Sequence, residues 1–177
     1  DDVALVEGFA AQAVIAIENV RQFRALQTRL EHEQATAEIL EVMSRSRDDE
    51  GPVFEAILRN AAALCHTPMA GLNIADETGT QLRLVKHFGP PLRHFVEGET
   101  VWPLDSDITL AVAARERRLV QVVDLKDSDL YRQGDPIRVA AVDEEGIRTF
   151  LAVPLVGGPG VIGCIGLYRR EVRAFTE

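Results

Sequence analysis

Residues 149–171 read TFLAVPLVGGPGVIGCIGLYRRE. Two apolar, strand-like runs are joined by Gly157-Gly158-Pro159-Gly160, and the second is punctuated by Gly163 and Gly166. Glycine and proline clustered between two apolar runs read as a β-hairpin, so this stretch predicts paired antiparallel strands. The same pattern recurs upstream. Ala70–Ala75 and Gln81–Phe88 are two further short runs separated by Asp-Glu-Thr-Gly, a second hairpin, and Gly89-Pro90-Pro91 stops its second strand.

Helices are predicted between and before the strands. Pro52 suits the first turn of a helix running to about Cys65, with Phe54, Ile57, Ala61 and Leu64 as its buried stripe and Cys65 on the same side. A loop carrying His94 and Trp102 leads to Asp105, Ser106 and Asp107, any of which suits the cap of a helix over about Ile108–Arg118. Leu119–Asp124 is a further strand, and Leu125–Gly146 is the least regular stretch. Hairpin-length connections and irregular alternation with helices place the chain in the α+β class with a central antiparallel β-sheet and flanking helices.

Upstream of these elements the chain changes character. From Val3 to about Arg45 there is no proline and only one glycine, in a stretch rich in Ala, Leu, Glu, Gln and Arg, which predicts one long helix. Phe23, Leu26, Leu30, Ala37 and Leu40 recur at alternating three- and four-residue steps, the seam of a coiled coil, with Glu33 at the one seam position that should be apolar. A homodimer through these helices is the expected assembly, only marginally stable by itself.

The 177 residues carry 28 acidic against 19 basic side chains, a formal charge of −9 and a pI near 5.0. That balance argues against a nucleic-acid partner, whose affinity rests on neutralising phosphates. No run approaches the ~20 apolar residues of a membrane span. Cys65 and Cys164 are far apart, without ligands at metal spacing, which fits a reducing, cytoplasmic setting without a structural metal.

The hairpin at 149–171, together with the helix-strand-strand arrangement from Gly51 to Gly89, resembles a GAF domain, a small-molecule sensor and dimerisation module of signalling proteins. Phe9–Phe23 (FAAQAVIAIENVRQF) resembles the last helix of such a domain, and Arg173–Glu177 the residues that precede one. The resemblance implies two regions: residues 1–46, a terminal helix of a preceding GAF domain continuing as a coiled-coil-like linker, and residues 50–177, a GAF domain without its C-terminal helix. It also implies terminal helices on one sheet face, a place that Phe9–Val20 would fill, from the same chain or from a partner in an exchanged dimer, and a pocket on the other face beneath the irregular segment. Tandem arrays of this style are familiar from bacterial sensor histidine kinases and nucleotide cyclases.

Ligand pockets are mostly apolar with a few converging polar groups. The expected lining is Trp102, Val123, Tyr131, Arg138, Arg148 and Thr149, from strand ends and the irregular segment. Either arginine suits an anionic ligand, against the plainer reading of a pair with nearby acids. No nucleophile elbow, phosphate loop or catalytic triad is visible, so catalytic residues are expected to be absent. The GAF-fold reductases of free methionine sulfoxide use pocket cysteines, and neither Cys65 nor Cys164 is placed for that. The cyclic-nucleotide signature of the family has only Asp143-Glu144 as an echo, which disfavours such a ligand. No cysteine occurs in Asp124–Thr149 for covalent bilin. His87 is the one candidate axial ligand for haem, though a strand histidine is more often a plain hydrogen-bonded residue. Asp124, Asp127, Asp129 and Asp135 lack the glycine and glutamate of a calcium loop and read as solvated acids. The cofactor stays unknown and the partner is an unidentified small molecule.

Overall fold

A computed structural model describes residues 2–45, 50–158 and 160–176, with the side chains of the first segment described from Asn19 to Leu40. The chain divides into two compact units, Asp1–Arg45 and Ser46–Glu177. The first is one helix, α1 (Asp2–Arg45). On it Phe23, Leu26, Leu30 and Leu40 are 57–69 % exposed, so the seam stands as an open apolar stripe with Ala37 also exposed. The expected packing of Phe9–Val20 on a sheet falls on side chains outside the described residues, Asn19 and Val20 excepted, which are exposed.

The second unit is built on six strands: β1 (Met69–Ala75), β2 (Gln81–Phe88), β3 (Val101–Pro103), β4 (Val120–Val122), β5 (Thr149–Gly157) and β6 (Gly160–Arg169). Their order is β3-β2-β1-β6-β5-β4 and every pairing is antiparallel. The hairpin at 149–171 thus forms one half of the sheet, and β6 zips onto β1 with Gly166 opposite Gly71. Gly163 and Gly166 of β6 are both needed: a Cβ on Gly163 would strike the Asn73 carbonyl, and one on Gly166 would lie 2.7 Å from Phe150 Cζ.

Alternation divides the strand side chains between two cores, because successive residues point to opposite faces. On one face Ala70, Leu72, Leu151 and Leu167 pack against Leu58 and Ala62 of α2 (Gly51–Leu64). The α2 stripe is therefore Phe54, Leu58, Ala61, Ala62 and Cys65, not the 54/57/61/64 set expected. Leu64 is 40 % exposed. A 3.6-residue period admits either set over one turn, and the sheet selects the one that continues through Leu58.

On the other face α3 (Thr109–Glu116) covers β5 and β6. Its first turn has no side-chain cap: Ile108 occupies the cap position, Ser106 donates to the Pro103 carbonyl and Asp107 pairs with Arg115. Residues 125–144 are not irregular. They form a 3₁₀ turn at Leu125–Asp127, then α4 (Asp129–Arg132), α5 (Pro136–Val139) and a wide π-type turn at Ala140–Glu144. Asp124, Ser128 and Asp135 cap the first three in succession, each accepting from a backbone N–H.

Candidate functional site

Beneath α3 and these short turns lies a cavity of about 70 Å³. A single water needs only ~10–15 Å³, so the space suits a small molecule. Its floor is the inward face of the sheet, Gly71, Asn73, Leu84, Phe150, Gly166 and Tyr168. Its walls come from Leu92, Phe95, Trp102, Ile108 and Ile137, and its polar groups are few.

Asn73 organises the floor. It is 2 % exposed, its Oδ1 accepts from Trp102 Nε1 at 2.7 Å, and its Nδ2 is 3.3 Å from both the Gly71 and Cys164 carbonyls. That bond anchors the Trp102 indole of β3, with Phe95 edge-on at 5.1 Å. The Phe150 and Tyr168 rings stack in parallel, with centroids 5.4 Å apart. Glu145, buried, accepts from the backbone N–H groups of Arg93 and His94, which fixes the segment that carries the lining residues Leu92 and Phe95.

Arg138 is the unusual member. Asp135 caps α5 by accepting from the Arg138 N–H at 2.8 Å, and the helix then aims the Arg138 side chain inward, where only 5 % of the residue is exposed. Nη2 donates to Thr109 Oγ1 at 3.0 Å, a neutral partner, and Nε has no partner among the described residues. Burial pushes the guanidinium pKa down, with Asp135 partly offsetting it. A buried cation without a hydrogen-bonded anion is costly, since desolvation is not repaid.

Of the six residues expected to line a pocket, Trp102 and Arg138 do so. Val123 is 45 % exposed. Tyr131 donates its hydroxyl outward to Asp143 at 3.0 Å. Arg148 grips Asp124 at 2.9 and 2.6 Å, and this hydrogen bonding lowers the Asp124 pKa. Thr149 is fully buried as a staple, its hydroxyl 2.6 Å from the Val123 carbonyl and 3.0 Å from the Arg173 N–H. Val123, Arg148 and Thr149 lie at strand ends and Tyr131 lies in α4, and none of the four is among the cavity-lining residues. Asn73, Thr109 and Tyr168, which are, went unnamed because single polar residues in apolar runs carry no motif. The other acids have local partners as well: Asp127 and Asp129 flank Arg132. His87 does not line the cavity; its Nε2 is buried without a partner among the described residues, and burial lowers its pKa.

Neither cysteine lines the cavity. Cys164 is fully buried in β6, its Sγ 3.6 Å from the Leu110 carbonyl, and burial raises the thiol to about 12. Cys65 is half-buried and raised by burial, with Arg169 opposing. Thiolate is the reactive form. Iodoacetamide at neutral pH is therefore expected to modify Cys65 slowly and Cys164 only on unfolding, which peptide mass mapping checks.

Among the described residues, no helix is long and apolar enough to cross a membrane. No curated protein sequence matches the chain. Among solved structures, the GAF domain of an Acinetobacter phosphoenolpyruvate-protein phosphotransferase superposes with a TM-score of 0.65 at 13% identity, covering 85% of this chain and 82% of that one. A free methionine-R-sulfoxide reductase from Neisseria meningitidis, in complex with its substrate, gives 0.56 at 17%, covering 78% and 74%. A domain of a two-component sensor histidine kinase protein from Sinorhizobium meliloti gives 0.51 at 21%, covering 71% and 76%. At these identities the likeness is one of fold. The family model for the GAF domain matches residues 47–177, the whole sheet and cavity together, and the chain belongs to the GAF domain family.

Proposed function

We propose that this chain is a sensing module of a cytoplasmic signalling protein, which binds a small molecule in the cavity and relays occupancy through α1 in a homodimer. The observation that carries the reading is Arg138, a buried guanidinium with a neutral partner, facing a cavity with apolar walls. Such an arrangement costs stability in the empty protein and is repaid by a ligand. GAF domains are commonly signalling or sensing modules, and the sensor-kinase neighbour is of that kind. A kinase or cyclase output domain suits the linker style of α1. The reading is non-catalytic, supported by a cavity lining without cysteine.

The domain boundaries proposed are residues 1–46 for the helical linker and 50–177 for the GAF domain. The seam offers the means of dimerisation: Phe23, Leu26, Leu30, Ala37 and Leu40 share one stripe of α1 and all are exposed. Glu33 interrupts it, as a relay with two packings of similar energy requires. Glu33→Leu is expected to tighten the dimer by about tenfold, ~1.4 kcal/mol. Sedimentation equilibrium checks this, and an unchanged dissociation constant counts against the seam.

The competing reading, a spacer that dimerises and binds nothing, needs a site plugged by its own side chains. The test of both is native mass spectrometry of the protein as purified. A dimer carrying excess mass supports the sensor; a dimer at bare mass, with exchange into apolar additives leaving it bare, supports the spacer.

A further inference from the structure

We infer that the cavity takes a small organic monocarboxylate, its carboxylate on the Arg138 guanidinium and its apolar body among Leu84, Phe95, Trp102 and Phe150. The inference rests on the reading of the cavity as a ligand site and names what that ligand is.

Charge comes first. The lining holds one cation and no acid: Arg138 is the only lysine or arginine among the lining residues, and no aspartate or glutamate is present. Asp135, the nearest acid along the chain, spends one carboxylate oxygen on the Arg138 backbone N–H. One positive charge in apolar walls is matched by one negative charge. A phosphate dianion would leave an unmatched charge in the same walls, and an amino acid would bring an ammonium with no carboxylate to receive it.

Geometry agrees. A guanidinium presents its N–H groups as a planar fork that meets a carboxylate with two parallel hydrogen bonds. Thr109 occupies one Nη2 hydrogen and Nε is unpartnered among the described residues, so the fork keeps donors to offer. Tyr168 also lines the cavity and brings a hydroxyl to it. The remaining surface is aliphatic and aromatic, which calls for an apolar body, and about 70 Å³ limits that body to a short branched chain or a single ring.

The chain contains one tryptophan, and Trp102 lines the cavity, so its emission reports occupancy directly. The full chain is titrated with isovalerate and benzoate, with their neutral isosteres isovaleramide and benzamide, and with inorganic phosphate. The carboxylates are expected to perturb the emission saturably and to bind at least tenfold more tightly than the amides. In Arg138→Met, checked as folded by circular dichroism, that preference disappears. Amides that bind as well as the carboxylates, or phosphate that binds better, would overturn the inference while leaving a ligand site in place. Silence from every compound would overturn both.

Discussion

Asn73→Ala is expected to lower the stability of the GAF unit by about 2–4 kcal/mol, roughly 10 °C in melting temperature. The side chain makes one acceptor contact, to Trp102 Nε1 at 2.7 Å, and two donor contacts, to the carbonyls of Gly71 and Cys164. Alanine leaves the indole N–H buried without its acceptor and adds a void to the floor of the cavity. An unsatisfied buried donor costs more than the mean hydrogen bond, and residual empty volume adds to it. Because the two side chains share the bond from Trp102 Nε1 to Asn73 Oδ1, Trp102→Phe in the Asn73→Ala background should cost less than Trp102→Phe alone. Thermal melts of the four proteins check this. Additive losses would show that Asn73 acts through general packing instead.

Arg138→Met is expected to act in the opposite direction. In ligand-free protein it should raise stability by about 1–3 kcal/mol, several degrees in melting temperature. Methionine keeps a long apolar stem beside Ile137 while removing a cation that no carboxylate accompanies by hydrogen bond, and the Thr109 hydroxyl can turn elsewhere. A residue whose removal stabilises a fold is one retained for another purpose, as at many binding sites. Urea unfolding after exhaustive dialysis checks the sign. Destabilisation by more than 1 kcal/mol would mean that Arg138 is a structural strut and would remove the main support for an anion site.

The parts of the fold visible in the sequence are those whose signals are local. Gly157–Gly160 and the Asp-Glu-Thr-Gly turn announce the two hairpins, and strands β1, β2, β5 and β6 lie where these turns predict. β3 escaped notice because three residues, Val101–Pro103, are too few to alternate, and proline is tolerated there only because the strand is at the sheet edge. Four-residue helices such as α4 and α5 span barely one turn, too little for a helical period to repeat. Their caps were nevertheless legible: Ser128 and Asp135-Pro136 are start signals that could have been read.

The site was less visible. Trp102 and Arg138 could be named because a lone tryptophan and an arginine near acids attract attention, whereas Arg148 and Tyr131 have the same look and turn to Asp124 and Asp143 instead. What separates Arg138 from Arg148 is the direction of a single helical turn set by the Asp135 cap, and that emerges only when the sheet is assembled. Asn73 has no local signature at all; its role depends on Cys164, 91 residues away, and Trp102, 29 away.

The proposed relay requires the charge state of the cavity and the packing of α1 to be coupled. Anion binding and Arg138→Met both neutralise the cavity, so the variant stands in for the occupied state without requiring the ligand. Sedimentation equilibrium of wild-type and Arg138→Met chains, both freed of small molecules, measures the coupling. The dimer dissociation constants are expected to differ by at least about fivefold, the lower end of ordinary allosteric coupling. Equal constants in two well-folded proteins would contradict it.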